Sequence, residues 1–425
     1  MEGLIKGLVD VAIGHHDRRH DDDDQDANSR DERSRSSWAE VVSGEKEEDH
    51  DRPERSSYVR HQKQEVRSAL DAEFKPNYGN LGRAGGRSSH GRYQDQEENQ
   101  EKNDDGWETV GKKKPARHPH KVPQDQWQGY KRPASEQHYS EDDQTHESLQ
   151  PSQEELSDLS QACNRLWELD SNRLVPGKDY QIDCGEGKRV HQKEDMAQGS
   201  LFSWVSEDIF RKPTFARFCS LLDNYNPNEG YKEVVTTEER QEQAAFIEEI
   251  SRTAVIKYLH KYLSDKGVVS ESYQEFKRTL TSLWFDLYGR GGTSGSSSAF
   301  EHVFVGEIKN SGEQQVSGFH NWIQFYLEEA KGRVDYQGYI FPRRRGEIPD
   351  EETQVLTIQF EWNGVTKSVS STLVGVSPEF ELALYTLCFF VGDEDNHIQL
   401  GPYSVNVKCY RHGHRLGSAF PIADS

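Results

Sequence analysis

Large apolar residues are distributed very unevenly along this chain of 425 residues. Residues 1–150 contain 33 acidic and 24 basic residues but only one of the 18 phenylalanines, Phe74. A segment with so few large apolar side chains buries too little surface to offset the entropy that folding costs. We therefore predict a disordered, charged arm over residues 1–151 and a folded domain over residues 152–425, which contain the other phenylalanines.

The first half of the predicted domain has the periodicity of helices. Ser152 and Glu155 have the spacing of a capping box, so we expect a helix to begin there. Apolar residues then recur at helical intervals. The further helices predicted from this spacing cover residues 215–222, 238–263 and 274–288.

The second half has the pattern of strands with short helices between them. The glycine- and serine-rich residues 291–298 predict a loop, and the alternation over residues 302–308 predicts a strand. Asn363-Gly364 predicts a tight hairpin turn after an alternating run. The other predicted elements are helices over residues 321–331 and 377–389 and a terminal hairpin over residues 405–421. Helices followed by antiparallel pairs indicate an α+β fold.

Cysteine spacing and hydropathy indicate where such a chain resides. The five cysteines form no close CxxC pair, which favours a reducing compartment. Asp10 interrupts the apolar start, and no apolar run reaches 18 residues, so we expect neither a signal peptide nor a membrane span. We expect an intracellular protein, cytoplasmic or nuclear, because the basic cluster at residues 112–114 is only a weak nuclear address.

The arm contains two basic patterns. Residues 79–93 space arginines among glycines, and residues 111–121 are rich in lysine. Segments of these kinds bind RNA through charge and stacking, and they also occur as solvated linkers. Both interpretations remain open, as does the recruitment of protein partners through two tryptophan-containing segments near Trp38 and Trp107.

Two histidines and a lysine in the second half are suited to RNA cleavage. RNA carries its own nucleophile, the 2′-hydroxyl, so cleavage needs a base for that proton and an acid for the leaving 5′-oxygen. Histidine suits both roles near neutral pH. His302 and His320 are candidates for these roles, and Lys367 for stabilising the charge that develops on the phosphate.

Spacing alone does not establish this site. The chain has 17 histidines, and a histidine beside aromatic residues is more often part of a core. Glu301 and Glu307 flank His302 and could orient its ring or bind a cation. The pair His412 and His414, and the acidic run at residues 393–397, resemble metal ligands but fit a hairpin tip and an acidic loop better.

Longer motifs make the interpretation more specific. FEHVFVGEI, GFHNWIQFYLEE, DYQGY, VSPEFELALYTLCF and GSAFP resemble the poly(U)-specific endoribonuclease (EndoU or XendoU) family over residues 152–423. The resemblance implies a two-lobed α+β domain. It also implies cleavage of single-stranded, U-rich RNA at uridylates, with 2′,3′-cyclic phosphate and 5′-hydroxyl ends and stimulation by Mn²⁺ at ligands that remain unknown.

The resemblance also assigns residue roles. His320 corresponds to the base, His302 to the acid and Lys367 to the stabilising cation, with Glu301 and Glu307 as supporting residues. The residues implied to contact the nucleoside are Ser371, Ser418 and Phe420. Phe420 replaces the usual tyrosine, so it keeps a stacking face but loses a hydroxyl.

Charge is the main difficulty for an RNA enzyme. The predicted domain has 41 acidic and 28 basic residues, so RNA binding requires a local basic strip, for which Arg343, Arg344 and Arg345 are candidates. Two alternatives remain: a non-catalytic RNA-binding module whose arm recruits partners, and a scaffold that acts through the arm.

Overall fold

The structure is a computed structural model that describes residues 138–141, 149–310, 312–342 and 348–423. The predicted arm up to residue 137, with both of its basic patterns and its tryptophan segments, lies outside the described residues. So does the predicted basic strip at Arg343, Arg344 and Arg345. The arm and the domain boundary therefore stay predictions.

The first half of the described chain is mainly helical. Its α-helices are α1 (Gln153–Ser157), α2 (Leu159–Leu169), α3 (Pro213–Leu221), α4 (Thr237–Ile250), α5 (Ala254–Asp265) and α6 (Tyr273–Phe285), with a short 3-10 helix at Glu207–Arg211. Side-chain caps explain most of the starts. The predicted capping box at Ser152 and Glu155 is present, and a second one joins Thr236 and Glu239.

Two predicted helices are interrupted. Residues 238–263 form two helices, because the side chain of Thr253 accepts a hydrogen bond from the backbone N–H of Ile256 and starts α5. Likewise, the carboxylate of Asp158 accepts from the N–H of Ser160, so the first predicted helix divides into α1 and α2. In both places a hydroxyl or carboxylate satisfies a backbone donor that a continuous helix would have bonded internally.

The strands form small, mostly antiparallel sheets. β1 (Tyr180–Ile182) pairs with β3 (Phe202–Val205), β4 (Tyr288–Arg290) with β5 (Thr293–Ser297), and β6 (Glu307–Lys309) with β7 (Gln315–Ser317). A four-stranded sheet has the order β10 (Val365–Leu373), β9 (Val355–Trp362), β8 (Val334–Ile340), β2 (Gly187–Lys188), and only its β2–β8 pair is parallel. A three-stranded sheet contains β11 (Asp395–Leu400), β12 (Tyr403–His412) and β13 (Arg415–Ala423).

Two helices lie between these strands in sequence. The two predicted helices are present as α7 (Trp322–Ala330) and α8 (Pro378–Val391), and the side chains of Asn321 and Ser377 cap them. The predicted hairpin turn is also confirmed, since Asn363 and Gly364 have φ values of 51° and 80°. Helix α8 is buried on nearly every side, as expected for a helix at the centre of a domain. The predicted α+β fold class is confirmed.

Two predictions near the histidines were wrong. Residues 291–298 are not a loop, because most of them form the β4–β5 hairpin. Residues 302–308 are not one strand: Glu301–Val305 is a π-helical turn, and β6 begins only at Glu307. All five residues of the turn are buried. The alternation of polar and apolar residues there therefore did not correspond to an exposed and a buried face of a strand. Phe300 and Phe304, on either side of His302, pack against Phe218.

No helix in the described part of the chain is both long and apolar enough to cross a membrane.

Candidate active site

The π-helical turn places His302 against a carboxylate. Its ring Nδ1 is 2.7 Å from Oε2 of Glu307, and both side chains are buried. Gly306 lies between the turn and β6 with φ of 94°, a conformation that favours glycine. This reversal lets Glu307, the first residue of β6, contact the histidine five residues before it.

Close backbone contact joins the segments of the two histidines. The N–H of Phe319 donates to the carbonyl of His302 (3.1 Å), and the N–H of His320 donates to that of Val303 (2.9 Å). Gly318 has φ of 64°, and a Cβ there would lie 1.7 Å from the carbonyl oxygen of His302. Only glycine fits this position, so the approach of the two segments depends on it.

Serines of β10 and an aromatic ring hold His320. Its Nδ1 lies 3.2 Å from the hydroxyl of Ser370 and 3.3 Å from the carbonyl oxygen of Ser371. The ring of Phe420 packs on it with centroids 4.8 Å apart. Asn321, the next residue, caps α7 and donates to the buried carboxylate of Glu381 at 2.8 Å. The position of His320 is therefore fixed from several sides.

Lys367 completes the group from β10. Its Nζ is buried and donates to the carbonyl of Val316 at 3.2 Å. Val316 on β7 pairs with Ile308 on β6, the residue after Glu307. The β6–β7 hairpin therefore joins Lys367 to Glu307, the carboxylate that contacts His302, and the three residues predicted from sequence lie in one region.

Burial and neighbouring cations control protonation here. Burial lowers the pKa of His302 and His320 well below the usual histidine value, and Lys367 adds to this effect at both rings. Burial, with Lys309 nearby, lowers the pKa of Lys367 to about 7. Burial also raises the pKa of Glu307, although Arg290 acts against this. A bound phosphate anion would raise the pKa values of His302, His320 and Lys367.

Glu301 and Glu307 occupy different environments. Glu307 contacts His302 and also lies 3.4 Å from Nε of Arg290. Glu301 is buried, and its Oε2 has no hydrogen-bond partner among the described residues. Burial, with Glu307 and Glu233 nearby, raises the pKa of Glu301 to about 10. Of the two carboxyl groups, only that of Glu307 is seen to orient a histidine.

The three residues implied to contact the nucleoside lie at different depths. Ser371 places its carbonyl near His320, whereas its hydroxyl pairs with that of Thr357 at 2.8 Å. Ser418 is partly exposed on β13, two residues before Phe420, which is buried against His320. A bulge between Lys367 and Ser370 turns the hydroxyl of Ser370, rather than that of Ser371, toward the ring.

Arg290 and Lys309 also belong to this region, and sequence reasoning missed both. The guanidinium of Arg290 donates to the hydroxyl of Tyr288 (2.7 Å) and to the carbonyl of Gly417 (2.6 Å), next to Ser418. Lys309 follows Glu307 by two residues on β6, so strand periodicity places both on one face. The spacing from Glu307 could have identified Lys309 as part of the site. No sequence signal indicated Arg290, because residues 291–298 were predicted to be a loop.

A metal site is not complete in the described residues. No group of three or more His, Cys, Asp or Glu side chains there is arranged to hold a metal ion. Oε2 of Glu301 and Oε1 of Glu307 are buried carboxyl oxygens without a hydrogen-bond partner among the described residues. Such oxygens suit a divalent cation, but two are fewer than the three protein ligands usual in catalytic metal sites. The described residues alone therefore do not form a complete Mn²⁺ centre, and no step below passes through one.

The chain is similar in sequence and in structure to several known proteins. Residues 158–421 match the family model of Endoribonuclease XendoU. Uridylate-specific endoribonuclease B of Danio rerio is 42% identical over 272 residues, 62% of this chain and 95% of that protein. Poly(U)-specific endoribonuclease-B of Xenopus laevis is 44% identical over 275 residues, 62% and 93% of the two chains. The solved structure of XendoU, described as a splicing independent snoRNA processing endoribonuclease, has 40% identity and a TM-score of 0.56, and covers 65% of this chain and 99% of that one.

Proposed function

The chain belongs to the XendoU endoribonuclease family, and we propose that it cleaves single-stranded, U-rich RNA at uridylates by transphosphorylation. The 2′-hydroxyl attacks the adjacent phosphorus, the bond to the 5′-oxygen breaks, and the products are a 2′,3′-cyclic phosphate and a 5′-hydroxyl. The observation that supports this is the grouping of buried His302, His320 and Lys367 around the β6–β7 hairpin. A base, an acid and a cation are what this reaction needs.

His320 acts as the base in this proposal. Burial lowers its pKa well below the usual value, so its imidazole is neutral at pH 7 and able to accept the 2′-hydroxyl proton. Ser370, Ser371 and Phe420 fix the orientation of the ring. A fixed ring gives the proton transfer a defined geometry before substrate arrives.

His302 acts as the acid, for which it must carry a proton when the 5′-oxygen leaves. Glu307 at 2.7 Å from its Nδ1 stabilises the imidazolium and holds the ring. The anionic phosphate raises the lowered pKa of His302 when RNA binds. The same anion favours protonated Lys367, whose ammonium then stabilises the charge on the non-bridging oxygens.

The uridine side of the site lies next to His320 in this proposal. Ser371, Ser418 and Phe420 contact the nucleoside there, with Phe420 providing a face for stacking but no phenolic hydroxyl. Stimulation by Mn²⁺, protein partners recruited through the arm, and a cytoplasmic or nuclear location are also proposals.

Incubation of the purified chain with oligo(U), with and without Mn²⁺, tests this function. We expect fragments that end in 2′,3′-cyclic phosphates and begin with 5′-hydroxyls. Fragments with 3′-hydroxyl ends would contradict the mechanism, and binding without cleavage would favour a non-catalytic RNA-binding module. His414→Ala, at the exposed tip of the terminal hairpin, is the matched control for variants of the two buried histidines.

A further inference from the structure

A second lysine lies at the β6–β7 hairpin beside Lys367. Lys309 is the last residue of β6 and pairs with Gln315 on β7. The next residue of β7 is Val316, whose carbonyl accepts the hydrogen bond of Lys367. Lys367 is buried, whereas the side chain of Lys309 is 41% exposed. Its Nζ lies 4.0 Å from Oε1 of Glu229, a long contact that a phosphate oxygen can replace.

The loop over residues 226–235 is attached to this hairpin. The N–H of Ile308 donates to the carbonyl of Pro227 at 2.6 Å, and the N–H of Glu229 donates to that of Ile308 at 3.0 Å. Further along, the N–H of Glu233 donates to the carbonyl of Gly295 on β5 at 2.9 Å. The loop is therefore fixed both to the strand that contains Glu307 and to the hairpin that contains Arg290.

This fixed loop exposes an aromatic side chain. Tyr231 is 58% exposed, and the preceding Gly230 has φ of 89° and lies against Gly291. Tyr231 follows Glu229 by two residues, which span at most about 7 Å, so it is near the carboxylate that contacts Lys309. An exposed aromatic ring on a loop that contacts a partly exposed cation combines the two groups that bind single-stranded nucleic acid.

We propose that Tyr231 and Lys309 form a binding subsite for the nucleotide on the 3′ side of the cleaved uridylate. Tyr231 stacks on its base, and Lys309 contacts the phosphate that follows. This inference rests on the proposed function, in which His302 protonates the leaving 5′-oxygen. That oxygen belongs to the 3′ nucleotide, so the nucleotide leaves on the side of His302, where β6 and the attached loop lie.

The subsite also addresses the charge of the chain. The formal net charge is −22, which opposes the binding of a polyanion at long range. Local cations must offset this effect. Lys309 is suited to this role because its side chain is partly exposed, whereas Lys367 is buried. Each phosphate contact of this kind gives binding a dependence on salt.

Equilibrium binding to two oligonucleotides tests the stacking. Each contains a single 2′-deoxyuridine, which lacks the nucleophile, followed by adenine in one and by an abasic sugar in the other. We expect the purified wild-type chain to bind the adenine form about tenfold more tightly. Tyr231→Ala should remove this preference, whereas Tyr231→Phe and Val234→Ala, a change at an exposed apolar residue of the same loop, should keep it.

Lys309→Ala tests the phosphate contact. It should weaken binding of both oligonucleotides equally and lower the slope of log Kd against log salt by about 0.7. The inference is overturned if Tyr231→Ala keeps the adenine preference, whether it weakens binding of both forms equally or of neither. Failure of the proposed function is separate, because the wild-type chain would then leave the matching all-ribose oligonucleotide intact.

Discussion

The helical half and the active-site half both bury charged side chains, but they surround them differently. In the helical half, Arg217 on α3 and Glu249 on α4 are almost fully buried, and Nε of the arginine is 3.0 Å from Oε2 of the glutamate. The other carboxylate oxygen accepts the backbone N–H of Ser140. In the active-site half, Lys367 donates to a backbone carbonyl, and its burial, with Lys309 nearby, lowers its pKa to about 7.

This difference distinguishes buried charges that stabilise the fold from buried charges that are placed to bind a ligand. A buried charge matched by an opposite charge and by hydrogen bonds is costly to remove, because its partner remains behind. A buried ammonium close to another cation lowers stability instead. Strongly shifted pKa values of this kind are typical of functional sites.

The largest effect should come from His320→Ala. Loss of the proposed base should reduce the rate of oligo(U) cleavage by about 10²–10⁴-fold, while circular dichroism shows a folded protein. His414→Ala should cleave at the wild-type rate. Full activity of purified His320→Ala would mean that the buried histidines of this half are structural.

Glu249→Ala should affect stability rather than chemistry. Arg217 would remain buried without its partner, so the free energy of unfolding should fall by about 3–5 kcal/mol. The control is Glu248→Ala, because Glu248 is 34% exposed in its contacts with Arg252 and Lys277, and loss of such pairs costs about 1 kcal/mol or less. Denaturant unfolding measures both; equal losses would contradict the distinction between the two regions.

Lys367→Met should stabilise the protein and abolish the proposed charge stabilisation. The folded-state pKa of about 7 lies below the ordinary value of 10.5, so the unfolded chain binds more protons between these values. Wild-type stability should therefore rise as the pH increases from 7 to 10.5. The variant should lack this rise and be more stable by about 2–4 kcal/mol at pH 7.

Denaturant unfolding of both proteins at several pH values checks this prediction. A Lys367→Met protein that is less stable than wild type at pH 7 would show that the buried ammonium contributes to the fold. Lys193→Met, at an exposed lysine, is the control for a change of charge alone.

Phe420→Tyr should have the smallest effect. The ring keeps its position against His320 and regains a hydroxyl. One neutral hydrogen bond contributes about 0.5–1.5 kcal/mol, so kcat/KM for a uridylate substrate should change by about tenfold or less. Phe420→Ala, which removes the stacking face, should lower kcat/KM more. An equal effect of the two substitutions would contradict a stacking role for the ring.

Local sequence signals predicted the local features of this fold. The capping residues Ser152 and Ser377 act on neighbouring backbone groups, as does the turn at Asn363-Gly364, so local spacing is sufficient to predict them. The π-helical turn with His302 could not be found in this way. Its shape depends on packing against Phe218 and on the close approach of Gly318, which are far away in sequence.

The same reasoning applies to the site. Motifs identified His302, His320 and Lys367, and the structure places them around one hairpin. The role of Ser370 depends on a bulge in β10, because one additional residue changes which side chains face the ring. Arg290 reaches Glu307 and Gly417 only through the β4–β5 hairpin, which was predicted to be a loop.

The most direct test of the proposed mechanism is a single-atom change in the substrate. Two oligonucleotides with one uridylate each, identical except for a 2′-deoxyuridine in one, are incubated with the purified chain. We predict cleavage of the all-ribose form to a 2′,3′-cyclic phosphate and no cleavage of the deoxy form, because the nucleophile is missing. Equal cleavage of both would contradict the central claim, since the attacking group would then not be the 2′-hydroxyl.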